Sequence, residues 1–117
     1  MSAAPLTAVE IARRVAGREI SAEALTREHL DAIAARDKGL DAFLAVTADR
    51  ALAQARRLDA ALAGGAPAGP LAGVPVAVKD LLDIEGVPTT CGSRILGAIA
   101  RPSPPPRWHG WRRRARS

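Results

Sequence analysis

Apolar residues recur at helical spacing in three stretches before residue 65. Thr7 and Glu10 have the spacing of a capping box, in which the threonine accepts from the backbone three residues on and the glutamate reaches back. Ala8, Ile11, Ala12 and Val15 follow on one helical face, and Gly17 is the predicted stop. Glu10 and Arg14 sit at i and i+4, an exposed pair worth about 0.2–0.5 kcal/mol. Ser21 is predicted to cap a second helix running to about Asp37. Its apolar face gathers Ala22, Leu25, His29, Leu30 and Ile33, with Glu23 and Arg27 paired on the wet side. Ala42 to Val46 is a short apolar run that predicts a strand. Thr47 is placed to cap a third helix with Ala48, Ala51, Leu52, Ala55, Leu58 and Leu62 on one side and Arg50, Gln54 and Arg57 opposite. Gly64 and Gly65 end it.

After Gly64 the period changes. Gly64 to Gly73 is a glycine, alanine and proline linker. In Val74-Pro75-Val76-Ala77-Val78 the valines alternate as in a strand, while Ala77 keeps the other face apolar, so a strand covered on both faces is expected. Lys79 and Asp80 end that run abruptly. Ile84 to Ser93 is rich in glycine and hydroxyl residues and reads as loop, and no internal repeat is visible.

Composition changes this picture at one place. The chain has 117 residues and a net charge of +5, which suggests a small basic protein with a polyanionic partner. Residues 1–100 hold 11 basic and 12 acidic side chains, a net of −1. Arg101, Arg107, Arg112, Arg113, Arg114 and Arg116 follow with no acid among them, so the positive balance belongs to the tail. Both tryptophans, Trp108 and Trp111, lie there too. Hydrophobic content of 48% is globular, but aromatics are 3% and much of the rest is alanine, which implies a thin core. One cysteine, Cys91, excludes an internal disulfide and fits a reducing compartment. No apolar run approaches the roughly 18 residues of a membrane span, and Met1 to Leu6 lacks the pattern of a secretion signal. A cytoplasmic protein without membrane contact is expected.

Lys79 is the sharpest candidate for chemistry. A lysine just after a buried apolar strand can be partly desolvated, which disfavours the ammonium and frees a base. The plainer alternative is a solvated strand end paired with Asp80 or Asp83. Ser93 beside Gly92 could serve as a nucleophile, but no strand-to-helix elbow surrounds it. His29 has no partner at useful spacing and reads as a core or boundary histidine. Cys91 has no companion for a metal. Asp80, Asp83 and Glu85 could collect a cation, yet also read as a solvated acidic turn. The glycines at 64–65 and 69–73 lack the spacing of a phosphate-binding loop.

The stretch GPLAGVPVAVKDLLDIEGVPTTCGSRIL, Gly69 to Leu96, resembles the N-terminal part of the amidase signature family. Ile20-Ser21-Ala22 and the run from Ala42 to Val46 are similar to that family's upstream region, so the resemblance covers about residues 6–96. Within the family, Thr90 to Leu96 is most similar to the A subunit of the glutamyl-tRNA(Gln)/aspartyl-tRNA(Asn) amidotransferase; a plain amidase acting on small amides is the alternative parent. The resemblance implies an α/β fold, helices packed on a mixed sheet and here truncated, with Val74 to Val78 as one strand. It also implies a Ser–cis-Ser–Lys triad that cleaves an amide through an acyl-enzyme, with Lys79 on the lysine base. In the amidotransferase the amide is glutamine's. The ammonia passes to a partner subunit, where misacylated tRNA activated with ATP and magnesium receives it. Subunits B and C, glutamine and tRNA are therefore the implied partners, and no cofactor or metal is expected in this chain. Both serines of the family lie downstream of the matched region, so the chain by itself is expected to be inactive.

The tail supports a second expectation. Residues 97–117 can be written as degenerate codons and read from the third base of each. Trp108 to Trp111 then yields alanine, arginine or tryptophan, and leucine, valine or methionine. One allowed reading is GYRAPFTATAVARLAAAGAV, which is similar to the way the family continues. Residues 1–96 are thus expected to be an amidase-type segment, and 97–117 an out-of-frame, disordered basic tail. The rival reading is a true basic extension whose arginines neutralise phosphates and whose tryptophans stack on bases, making a small nucleic-acid-binding protein.

Overall fold

A computed structural model describes residues 6–99. They divide into a unit that ends at Pro75 and a second that begins at Val76.

The first unit holds three helices. Helix α1 spans Ala8–Ala16. Its capping box is complete: Glu10 N donates to Thr7 Oγ1 at 3.3 Å and Thr7 N donates to Glu10 Oε2 at 2.8 Å. Thr7 N and the Thr7 hydroxyl both donate to the Glu10 carboxylate and hold it below its ordinary value, with Arg14 and Arg13 adding smaller charge contributions; the predicted pair with Arg14 does not close into an ion pair. The helix stops at Gly17 as expected, but the left-handed residue is Arg18, with φ 57°. Arg18 N reaches Val15 O at 3.0 Å and Glu19 N reaches Arg14 O at 2.8 Å, the two bonds of a Schellman motif. Helix α2 spans Ala22–Arg36 behind Ser21, whose Oγ accepts from Ala24 N at 3.2 Å. A short 3-10 turn comes next at Asp37–Gly39. Helix α3 spans Ala48–Ala63; Thr47 is its N-cap without a side-chain bond, and Gly65, φ 83°, supplies the left-handed turn after Gly64.

Leu25 and Ala22 of α2, Ile11 and Val15 of α1, and Ala55 and Leu62 of α3 form the buried core together with Ala72. Leu6, Ile20, Leu58 and Val74 pack against it. The core is small, in keeping with alanine-rich helices. Val15 is buried almost completely, and Gly73 lies directly against it. A Cβ at Gly73 would sit 2.7 Å from Val15 Cγ2, and the glycine's φ of 72° is left-handed, so both geometry and space require glycine there.

Two side chains tie α2 to α3. Asp59 of α3 accepts from Ser21 Oγ at 2.8 Å, Ala22 N at 2.8 Å and Glu23 N at 3.0 Å. A carboxylate from another helix therefore serves the unpaired amides, and the positive dipole end, of α2. Glu23 Oε1 accepts from Arg27 at 2.6 Å, the predicted i,i+4 pair, and also from Arg56 at 3.0 Å across the helix interface.

Both expected strands are absent among the described residues, which contain no sheet. Residues 42–46 form an irregular connection. Asp37 fixes its start by accepting from Ala42 N at 2.8 Å and Phe43 N at 3.3 Å, and Phe43, Leu44 and Val46 stay exposed. Residues 74–79 run without regular structure. A strand exists only with a partner for its ladder, and among the described residues the one bridge is the isolated pair Ile84–Val87. The mixed sheet is thus not formed by these residues alone.

Candidate functional site

The second unit carries the residues singled out for chemistry. Lys79 is exposed, so burial by these residues does not desolvate it. Among the described residues its amine has no hydrogen-bond or ion-pair partner, and the expected pairing with Asp80 or Asp83 is not formed. The chain turns straight after it, with Leu82 N donating to Lys79 O at 3.0 Å.

Asp80 organises the next stretch of chain. Its carboxylate accepts from Thr90 N at 2.8 Å, from Thr90 Oγ1 in a short hydrogen bond, and from Gly92 N at 3.3 Å. Its carbonyl accepts from Cys91 N at 3.0 Å. The Thr90 hydroxyl, then the Thr90 amide, outweigh partial desolvation and hold the Asp80 carboxyl below its ordinary value, with Gly92 N adding to them. The clamp fixes a tight turn in which Cys91 (φ 51°) and Gly92 (φ 69°) are both left-handed. A non-glycine residue in that region is costly, and here the bonds to Asp80 offset it. Between the two arms, Ile84 to Val87 closes a β-turn through Val87 N to Ile84 O at 3.0 Å, with Gly86 at φ 78° in the position where a type II turn needs it. Thr89 Oγ1 donates to Asp83 at 2.8 Å.

Ser93 is half-buried, and its hydroxyl accepts from Leu96 N at 3.3 Å, capping the short helix α4, Arg94–Ile99. Its oxygen is used structurally, as an N-cap. Cys91 is exposed with a free thiol. His29 belongs to the first unit and is exposed, not in the core; its Nδ1 lies 2.9 Å from Leu25 O one turn back. Among the described residues no group of three or more His, Cys, Asp and Glu side chains could hold a metal ion, and Asp80 and Asp83 are engaged by threonines. No described helix is long and apolar enough to cross a membrane. The first unit has a pocket of about 230 Å³ lined by Val15, Arg18, Ile20, Ser21, Asp59 and Leu62, but its carboxylate is already occupied by the cap of α2.

The structure therefore brings Asp80 and the Thr90–Gly92 turn together directly beside Lys79. Sequence reasoning gave Asp80 and Thr90 no joint role, because a ten-residue separation carries no periodic signal. The out-of-frame reading of 97–117 falls on residues outside those described, apart from the start of that segment in α4.

The family model "Amidase" matches residues 24–104, more than half of the chain. The chain belongs to the amidase family. The match runs past the boundary expected at residue 97 and stops short of the arginine-rich end. This amidase-family chain is 60% identical over 90 residues to the A subunit of the glutamyl-tRNA(Gln) amidotransferase of Acidothermus cellulolyticus, a match that covers 77% of the chain and 18% of that protein. It is 54% identical over 97 residues to its counterpart in Salinispora arenicola, covering 83% and 20%. The similarity lies in the N-terminal part of those proteins, and the chain spans about a fifth of the length of the relatives it matches. A solved structure of a vestigial protein complex, described as revealing the evolutionary origins of an s-triazine catabolic enzyme, aligns at TM-score 0.76 and 42% identity, over 87% of this chain and 21% of its own. Its inhibitor-bound form aligns at 0.77. These residues thus take an amidase-type conformation.

Proposed function

We propose that the chain is the lysine-bearing first segment of the A subunit of a tRNA-dependent amidotransferase. The observation that carries this reading is the 60% identity to that protein over 90 residues. Lys79 is assigned the general base: its Nζ takes the proton of a bridging serine, which in turn deprotonates the serine nucleophile that attacks the glutamine amide. The Asp80 clamp supports this by holding the turn beside the lysine. The ammonia released goes to misacylated tRNA on a partner of the B and C pair, where ATP and magnesium act. The mixed sheet is completed, in this reading, by polypeptide outside the described residues, and the setting is the cytoplasm.

For the 117-residue chain we assign no amide hydrolysis, because a base without its two serines cannot build an acyl-enzyme. Residues from about 97 are read as the product of a shifted frame. Two experiments test these statements. Sequencing the coding DNA through codon 97 is expected to show the family's continuation, with both serines, in the adjacent frame; its absence ends the frameshift reading. Purified chain incubated with glutamine is expected to release no ammonia, and release that disappears in Lys79→Ala refutes the assignment of inactivity. Co-purification with the B partner separates the amidotransferase from a plain amidase.

A further inference from the structure

Among the described residues, the backbone at Lys79 is fixed from its C-terminal side alone. No backbone hydrogen bond is made to Val76, Ala77 or Val78 before it. Past the lysine the chain is fastened. Leu82 N donates to Lys79 O at 3.0 Å, and Cys91 N donates to Asp80 O at 3.0 Å. The Asp80 carboxylate gathers Thr90 N at 2.8 Å, the Thr90 hydroxyl, and Gly92 N at 3.3 Å. Thr90 Oγ1 also accepts from Gly92 N at 3.3 Å, so one hydroxyl closes the set of bonds from both sides. Asp80 and Thr90 are half-buried, while Lys79, Leu81, Leu82 and Cys91 around them are exposed. A polar pair, and not apolar packing, therefore holds the chain where the lysine leaves it.

We propose that Asp80 and Thr90 are positioning residues for amide cleavage: together they fix the backbone from which Lys79 projects, with the Thr90 hydroxyl as the closing member. The proposal rests on the reading of Lys79 as the general base. A base has to stand within hydrogen-bond reach of the proton it takes, and a misplacement of about 1 Å can cost about 100-fold in rate. Lysine carries its amine on a flexible four-carbon stem, so the direction of its backbone is the constraint that these residues supply. Lys79 acts on the bridging serine and not on glutamine, so loosening it slows turnover and leaves substrate binding alone. The chemistry of the pair makes the role separable from shape. Thr90→Val keeps the shape but loses the hydroxyl as both donor and acceptor, whereas Thr90→Ser keeps the hydroxyl. Asp80→Asn sets an NH2 group against either Thr90 N or Gly92 N, whichever way the amide turns, because both carboxylate oxygens accept from a backbone N–H.

Two measurements test this. In the full 117-residue chain, backbone amide order parameters from Lys79 to Leu82 are expected to fall from the rigid range, about 0.85, to below about 0.6 in Thr90→Val and Asp80→Asn. Thr90→Ser is expected to keep them, and α1 to α3 are expected to be unchanged in all three variants. The catalytic arm uses a whole A subunit: the Acidothermus cellulolyticus protein with the matched 90 residues of this chain in place of its own, assembled with its B and C partners. There, Thr90→Val and Asp80→Asn are expected to lower kcat for glutamine hydrolysis about tenfold or more, with KM within about twofold, and Thr90→Ser to restore kcat. Order parameters unchanged in Thr90→Val, or an unchanged kcat, overturn the proposal. A raised KM with kcat kept overturns it in favour of a substrate contact. A chimera that assembles with its partners but hydrolyses no glutamine before any substitution overturns the reading of Lys79 as base, and the catalytic role with it, while the order parameters still decide the clamp.

Discussion

Asp59→Ala is the most informative perturbation of the first unit. The carboxylate serves three donors at 2.8–3.0 Å, and one of them, Ala22 N, belongs to a residue only 1% exposed. Losing a helix cap costs about 1 kcal/mol. Leaving a buried amide without a partner costs about 1–3 kcal/mol. Asp59 is itself half-buried at the surface, so partial screening and rehydration discount the charge component. Ser21 Oγ keeps its bond to Ala24 N. A net loss of about 1–2 kcal/mol results. With a urea slope of about 1–3 kcal/mol/M, the midpoint followed by circular dichroism falls by roughly 1 M. Asp59→Asn, which keeps an acceptor but no charge, is expected between the two. Acid provides the second arm. Burial pushes the Asp59 carboxyl up, but the amides of Glu23 and Ala22 and the Ser21 hydroxyl pull it further down, to below the ordinary 3.8. The stabilisation is then fully present above 3.8 and is lost as the pH falls through the lower folded-state value. Wild type and Asp59→Ala should converge in strong acid. An unchanged midpoint in Asp59→Ala near neutral pH, or a gap that persists unaltered in strong acid, would refute the capping argument.

Other outcomes rest on the same contacts. Gly73→Ala forces a left-handed alanine whose Cβ meets Val15 at 2.7 Å, and a loss of about 2–3 kcal/mol is expected in urea unfolding. Thr7→Ala removes half of the α1 capping box and should cost about 1 kcal/mol, read as a lower thermal midpoint. Lys79→Ala should leave the urea midpoint unchanged, since the exposed side chain has no partner among the described residues; a clear loss would show that the lysine is structural. Asp80→Ala frees the Thr90–Gly92 turn, and faster amide exchange at Thr90, Cys91 and Gly92, with α1–α3 unaffected, is the expected result.

The helices of the first unit were legible because their signals are local. Thr7 with Glu10, Ser21 before Ala22, and Gly64 with Gly65 are chemistry at fixed short spacing, and α1, α2 and α3 begin and end where those residues stand. Arg18 escaped, because a left-handed arginine has no composition signal. The strands expected at 42–46 and 74–78 fail for one physical reason. Alternation reports which faces an extended segment offers, but a ladder is made between two segments. Among the described residues neither has a mate.

The same division holds for the candidate site. Sequence alone sufficed for the family, through the run from Gly69 to Leu96, because a motif is a set of identities at fixed spacing. It also sufficed to separate a near-neutral body from an arginine-rich tail. Tertiary structure decided the rest: that Asp59 of α3 caps α2, that Asp80 fastens the turn ten residues on, that His29 faces solvent, and that Ser93 spends its oxygen on a helix cap. Each of these is set by which groups meet in space across separations that no periodicity encodes. The exposure of Val76, Val78, Leu81 and Leu82 belongs to the same class, since burial depends on what lies opposite a side chain and not on the side chain itself.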